Sequence, residues 1–168
     1  ARGLGQGMAI GLAEAGADIA LVDILDMSES KAQIEALGRK CIAITADLSK
    51  KESVDTIVSA AVEKLGGIDI LFNNAGITKF APDHSDLDAV SMDDFLRLYQ
   101  VNVVGAFMMI RAARSLLEAG PRAGAVVNTS SIAAVTGIGS SVPYAASKGA
   151  LTTMTLSLAR ALAPKIRV

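Results

Sequence analysis

An α/β fold, a parallel sheet with helices on both faces, is predicted by three features of the chain. Short apolar runs recur along it, each bounded by polar or glycine-rich residues. Between them lie longer stretches whose apolar side chains repeat at helical spacing. Glycine or proline closes several of those stretches, as Gly38, Gly66-Gly67 and Pro164 do. Strands that alternate with helices pair in parallel through crossovers, and those crossovers are right-handed.

Residues 4 to 16 carry the first helical pattern, with Leu4, Met8, Leu12 and Ala15 on one face. Ile19 to Val22 is an apolar run ending in Asp23, the pattern of a buried strand. Ser28 to Leu37 is helical, and Cys41 to Thr45 is the second strand. Lys51 to Leu65 is a helix that stops at Gly66-Gly67. Ile68 to Phe72 is the third strand and leads into Asn73-Asn74-Ala75-Gly76. The polar, acidic stretch from Thr78 to Ser91 reads as a loop. Ser91 is the expected N-cap of a long helix from Met92 to about Glu118, with Asp94 placed for a capping box. Ala125 to Thr129 is the fourth strand, and Ser131 to Val142, rich in Gly and Ser, is a loop. Pro143 opens a last helix that extends to about Ala163. Ile166-Arg167-Val168 reads as the start of a further strand.

With 168 residues, 51% of them hydrophobic, the chain can bury one core but not two full-sized ones, so residues 1–168 read as a single domain. Acidic and basic side chains nearly cancel, at a net charge of -1. No basic block suits nucleic acid and no cationic amphipathic stretch suits a membrane surface. The most apolar long stretch, Val101 to Leu117, is interrupted by Asn102, Arg111 and Arg114, which excludes it as a membrane span. A single cysteine, Cys41, excludes an internal disulfide and fits a reducing, cytoplasmic setting; it reads as a small buried hydrophobe. His84 sits among Asp83, Asp86 and Asp88 in a polar loop, which lacks the rigid convergence a metal needs. Asn128-Thr129-Ser130 matches a glycosylation sequon by chance, at a strand end. Both ends read as those of an excerpt: a glycine-rich turn with no strand before it, and a strand that has barely begun.

Arg2-Gly3-Leu4-Gly5-Gln6-Gly7 opens the first helix. Glycines there let the backbone approach a pyrophosphate, whose charge suits a helix N-terminus. The spacing Gly-x-Gly-x-x-Gly fails, because a third glycine counted from Gly3 and Gly5 would fall at Met8. Asp23 adds to the case, closing the next strand eighteen positions after Gly5. A carboxylate there accepts hydrogen bonds from both ribose hydroxyls of an adenosine and repels a 2′-phosphate, which favours NAD over NADP. Arg2 works the other way, since an arginine near the ribose tolerates that phosphate.

Tyr144 and Lys148 stand at i and i+4, so phenol and ammonium share a helix face. A free phenol holds its proton to about pH 10, and a nearby positive charge stabilises the phenolate. Tyr144 can then give a proton to a carbonyl oxygen or take one from an alcohol. Ser131 lies thirteen residues upstream, just past a strand, where active sites of open α/β sheets gather.

Together Arg2-Gly3-Leu4-Gly5, Asp23, Asp47-Leu48, Asn73-Asn74-Ala75-Gly76, Asn102, Ser131 and Tyr144-x-x-x-Lys148 resemble the short-chain dehydrogenase/reductases, over essentially the whole chain. The resemblance implies a Rossmann-like, doubly wound parallel sheet, truncated at both ends. The threonine and first glycine of the family's turn, with its central first strand, would lie upstream of Ala1. It implies that Arg2, Gly3, Leu4 and Gly5 meet the cofactor, and that Asp47 meets the adenine with Leu48 beside it. Asn74, Ala75 and Gly76 would line the cofactor, and Asn102 would hold a water in a proton relay. Ser131 would orient the substrate in preference to Ser130. Tyr144 would be the acid/base, and Lys148 would bind nicotinamide ribose and stabilise the phenolate. The implied activity interconverts a small-molecule carbonyl and a secondary alcohol with NAD(H), in a homo-oligomer, tetramer or dimer, built on the two long helices. The first helix is similar to that of sugar-acid dehydrogenases, and the serine-to-lysine region to that of 3-oxoacyl-carrier-protein reductases. A nucleotide-binding regulatory protein without chemistry is the alternative on the same fold; such proteins usually lose the tyrosine or lysine, and this chain keeps both.

Overall fold

The computed structural model describes residues 1–168, which divide into two compact units, Ala1–Ile68 and Asp69–Val168. In the first unit α1 (Gly3–Glu14), β1 (Ile19–Asp23), α2 (Ser28–Ala36), β2 (Cys41–Thr45) and α3 (Lys51–Leu65) follow one another. β1 and β2 pair in parallel, from Ile19 opposite Cys41 to Asp23 opposite Thr45. Strand periodicity turns Ile19 and Leu21 to one side. There they join Ala9 and Ala13 of α1, Ile34 of α2, Met27 and Cys41 in one buried cluster. Complete burial of a side chain such as Ile34 contributes about 1.5–3 kcal/mol over leaving it exposed.

The buried stripe of α1 differs from the one the spacing predicts. Ala9 and Ala13 are buried, Ile10 and Leu12 pack against them, and Leu4 and Ala15 are exposed. Two alanines at i and i+4 let the helix backbone approach the strands closely, which a leucine at either place would prevent. α3 ends as its sequence predicts. Gly66 takes φ +89, a left-handed conformation, and its N–H donates to the Val62 carbonyl.

The second unit contains β3 (Ile70–Asn73), α4 (Met92–Tyr99), a π-helical turn (Gln100–Gly105), α5 (Ala106–Ala119), β4 (Gly124–Asn128), α6 (Ala133–Thr136), α7 (Val142–Leu162) and β5 (Ile166–Arg167). Its three strands are parallel, with β4 in the centre. The capping box forms: the Ser91 hydroxyl accepts from the Asp94 N–H, and the Asp94 carboxylate accepts from the Ser91 N–H. The helix it starts is not uniform. The π turn interrupts the run from Met92 onward, and Asn102 lies within it. The Gly/Ser-rich stretch after β4 also departs from a plain loop, since α6 forms inside it. No helix is long and apolar enough to cross a membrane.

α5 and β4 approach each other closely at Gly124. A Cβ there would lie 2.5 Å from the Leu117 carbonyl oxygen and 2.8 Å from the Leu117 Cβ. Gly124→Ala therefore forces helix and strand apart and should destabilise the protein by about 1–3 kcal/mol in urea denaturation. Gly11→Ala on α1 meets open space and should be neutral or stabilising by about 0.5–1 kcal/mol. Equal midpoints for the two variants would contradict this packing.

Candidate active site

The carboxyl ends of β3 and β4 are locked together by side chains. Asn73 closes β3 opposite Asn128, and its Nδ2 donates to the Asn128 Oδ1 at 2.9 Å. Asn128 Nδ2 donates in turn to the Thr155 hydroxyl on α7 at 2.9 Å. The Thr129 N–H donates to the Asn73 carbonyl at 3.0 Å. Asn74-Ala75-Gly76 thus leaves β3, and Thr129-Ser130-Ser131 leaves β4, from one fixed edge.

Asn102 is buried within the π turn, a conformation frequent at functional sites. Its Oδ1 accepts from the Ile77 N–H at 2.8 Å, and its Nδ2 donates to the Ile77 carbonyl at 3.0 Å. The same Nδ2 donates to the Ser147 hydroxyl at 3.0 Å. Ser147, also buried, donates to the Tyr144 carbonyl at 2.8 Å. One carboxamide therefore ties the segment after β3 to the first turns of α7. That helix starts where its sequence predicts, with Ser141 accepting from the Tyr144 N–H and proline in the first turn.

Lys148 is 4% exposed. Its Nζ donates to the Thr129 carbonyl at 2.7 Å and lies 5.9 Å from the centroid of the Tyr144 ring, within reach of a cation–π attraction. Burial disfavours the charged form and pushes the ammonium below its ordinary value. Gly76 completes this cluster. A Cβ on it would sit 3.2 Å from the Asn102 Oδ1 and 3.5 Å from the Lys148 Nζ, so only glycine leaves that side of the lysine open.

The two serines after β4 differ. Ser130 is engaged, with its hydroxyl on the Lys148 carbonyl at 3.2 Å and on the Thr152 hydroxyl at 2.6 Å. Ser131 is half-buried, accepts from the Ala133 N–H at 3.2 Å, and has no acceptor for its own proton.

The remaining predicted residues lie in the first unit. Arg2 is exposed and extended, and Gly3, at φ +62, turns the chain into α1 ahead of Leu4 and Gly5. Asp23 ends β1, and one of its carboxylate oxygens accepts from the Leu25 N–H at 3.0 Å. Asp47 lies just past β2, where its Oδ1 accepts from the N–H and hydroxyl of Ser49 at 2.9 and 2.7 Å; Leu48 beside it is half-buried. Asp23 and Asp47 therefore share the carboxyl edge of the two-stranded sheet.

Ser147 and the Thr129 carbonyl escaped the sequence reading, which weighed Ser130 only as the less favoured neighbour of Ser131. Ser147 had a signal, standing three residues after Tyr144 on the helix, whereas a backbone carbonyl has none. His84 Nε2 is buried without a hydrogen-bond partner, beside a cavity of about 450 Å³ that Leu87, Val90, Phe95 and Val142 also line. The neighbouring Asp83 carboxylate accepts from Ser85, and no three metal-ligating side chains converge anywhere in the chain.

The model of the short chain dehydrogenase family matches residues 1–168. The chain belongs to that family. It is 38% identical to L-2,3-butanediol dehydrogenase of Corynebacterium glutamicum over 170 residues, covering 98% of this chain and 64% of that protein. It is 38% identical to 2-dehydro-3-deoxy-D-gluconate 5-dehydrogenase of Escherichia coli (strain K12) over 158 residues, covering 94% of this chain and 60% of that protein. The chain thus spans less than two thirds of either relative. The crystal structure of NAD+-bound xylitol dehydrogenase matches at a TM-score of 0.88 and 35% identity, over 97% of this chain and 62% of that one. The α/β, Rossmann-like fold expected from the sequence is the fold of this family.

Asn102→Leu, close in volume, would leave the Ile77 N–H and carbonyl without partners in the interior. Each such group costs about 1–3 kcal/mol. The variant should lose about 2–5 kcal/mol in chemical denaturation. A loss below 1 kcal/mol would mean that the carboxamide does not hold the Ile77 segment.

Proposed function

We propose that the protein is an NAD-dependent oxidoreductase that interconverts a carbonyl and a secondary alcohol on a small molecule. The observation that carries this reading is the buried Lys148 ammonium, anchored on the Thr129 carbonyl and 5.9 Å from the Tyr144 ring. The relatives are named as dehydrogenases of a diol and a sugar acid, and a related structure holds NAD+. A regulatory protein without chemistry has no use for an ammonium held out of water beside a phenol.

Each unit carries residues that support part of a dinucleotide site: in the first, Gly3 turns the chain into a helix N-terminus and Asp23 ends β1; in the second, Gly76 places no Cβ against Lys148. Arg2, Leu4, Gly5, Asp47, Leu48, Asn74 and Ala75 complete the proposed binding set. A nicotinamide dinucleotide held by these residues would supply hydride transfer to or from the carbon that bears the oxygen. Tyr144 moves the matching proton, giving it to the carbonyl oxygen in reduction and taking it from the alcohol in oxidation. Lys148 has three N–H donors and uses one on Thr129. The others are left for ribose hydroxyls. Ser131 donates its unused proton to the substrate oxygen. Asn102 acts through its neighbours, holding Ile77 and Ser147 in place. A water relay toward Lys148 would draw on the remaining lone pair of its Oδ1. Exposed Leu96, Phe107 and Leu156 on the long helices support a homo-oligomer, tetramer or dimer. The near-neutral charge and single buried cysteine support a cytoplasmic enzyme without a nucleic-acid partner.

Tyr144→Phe in the full-length protein should lower turnover by about 10²–10⁴-fold, the usual weight of a general acid/base. NADH affinity, read by fluorescence titration, should change little. Turnover within a few-fold of the native enzyme would remove Tyr144 from the chemistry. Asp23→Ala should raise kcat/KM with NADPH relative to NADH by at least about tenfold, equivalent to about 1.4 kcal/mol. A native preference for NADPH would overturn the role given to Asp23.

A further inference from the structure

Three threonines, Thr152, Thr153 and Thr155, stand within α7, a helix otherwise rich in Ala and Leu. Threonine is a poorer helix former than either, and a hydroxyl bonded back to the preceding turn tends to bend a helix. Thr153 faces solvent, whereas Thr152 and Thr155 are half-buried. Counted from Lys148 they stand at i+4 and i+7, on the lysine's own face of the helix. That face meets the end of β4 at three successive residues. Thr155 meets Asn128, the Lys148 Nζ meets the Thr129 carbonyl, and Thr152 meets Ser130.

The two hydroxyls are not equivalent. Thr152 bonds the Ser130 hydroxyl at 2.6 Å and the Lys148 carbonyl at 2.9 Å. Ser130 reaches the same carbonyl itself at 3.2 Å, so its proton keeps an acceptor if the Thr152 hydroxyl is removed. Thr155 has a single proton, which goes to the Leu151 carbonyl at 2.8 Å. Its oxygen therefore acts as the acceptor for the Asn128 Nδ2, at 2.9 Å. This turns the Asn128 Oδ1 toward Asn73, whose Nδ2 donates to it at 2.9 Å and to the Ala106 carbonyl at 3.5 Å. One chain of bonds thus joins Ala106 at the start of α5 to Leu151 on α7 through the ends of β3 and β4. Removing the Thr155 oxygen takes the acceptor from Asn128, the residue just before the carbonyl that anchors Lys148. Valine has nearly the shape of threonine and would bury more hydrocarbon there, so the bond to Asn128 is what the hydroxyl adds.

We propose that Thr155 is a positioning residue for the reaction: by orienting the Asn128 carboxamide it fixes the Thr129 carbonyl against α7, and so holds the Lys148 ammonium in place for Tyr144 and the nicotinamide ribose. The proposal rests on the oxidoreductase reading above.

The test uses the full-length protein and compares Thr155→Val, which keeps the shape, with Thr155→Ser, which keeps the hydroxyl; Thr155→Ala replaces the valine variant if that one does not fold. Acetylation of Lys148 by N-hydroxysuccinimidyl acetate, followed by peptide mass spectrometry well below each thermal midpoint, reads the anchor directly. In Thr155→Val it should be at least about tenfold faster than in the native protein, the factor that a lost buried hydrogen bond gives a local opening. Acetylation of the exposed Lys51 should not change. The NADH dissociation constant should rise about 3- to 10-fold, the worth of one hydrogen bond. Reduction kcat, with whichever of a panel of simple ketones and 2-oxo acids turns over fastest, should fall about 10- to 100-fold, the cost of a small misplacement of a reacting group. Thr155→Ser should restore most of each loss. Thr152→Val should fall well short of Thr155→Val, and Thr153→Val should match the native protein throughout. A lowered thermal midpoint in Thr155→Val, with native labelling, NADH affinity and kcat, makes the residue structural only and overturns the proposal. A serine variant no better than the valine one, or an equal loss in Thr153→Val, overturns it too. If no carbonyl compound turns over although NADH binds, the oxidoreductase reading fails, and the labelling rates and NADH constants still decide for or against Thr155.

Discussion

The bond from Lys148 to the Thr129 carbonyl is the constraint on which the rest of the candidate site depends. An ammonium removed from water is costly unless strong hydrogen bonds replace its hydration. Here the replacement comes from a carbonyl at the end of β4, held at 2.7 Å. That carbonyl can serve only if the strand end and the helix that carries the lysine are both fixed. Asn73, Asn128 and Thr155 fix them, linking β3, β4 and α7 in series. The penalty of the buried charge is thus spread over a sheet edge and a helix rather than borne by one contact.

The second support reaches the same helix from the opposite direction. In a regular helix each side chain's position follows from its neighbours'. The π turn from Gln100 to Gly105 breaks that sequence of positions and sets Asn102 in the interior. Its carboxamide satisfies both backbone groups of Ile77 and, through Ser147, the first turns of α7. The Gly76 side of Lys148 stays open because that residue carries no Cβ and because its chain neighbour Ile77 is held by Asn102. Helical geometry sets Tyr144 beside Lys148, and segments distant in the chain fix the surroundings of the pair.

Much of this was legible in the sequence, for identifiable reasons. The strands and helices follow from apolar period, and α3 was bounded to the residue because Gly66 stops it. The Ser91–Asp94 capping box and the Tyr144–Lys148 pair are local, fixed by helical geometry alone. What was not legible is what local pattern does not encode. A π turn shifts hydrogen-bond register without a compositional mark, so the run after Met92 read as one uniform helix. Thr129 acts through its carbonyl, to which its side-chain identity is irrelevant. The buried face of α1 was misread because two small alanines pack closer than Leu4 can, and hydrophobicity alone ranks them the other way. α6 was missed because Gly and Ser around it outweighed a single turn of Ala and Val.

Ser130 and Ser131 differ in how the fold uses their hydroxyls. Both are serines at the end of one strand, and composition cannot tell them apart. Ser130 is bonded to the Lys148 carbonyl and Thr152, so its hydroxyl belongs to the helix contact. One residue later the chain has turned toward α6, and Ser131 keeps its proton. The same rule extends outward from that point. Hydroxyls of Thr136, Ser140 and Ser141 are all used in shaping the backbone, and the side chains left facing solvent are hydrocarbon.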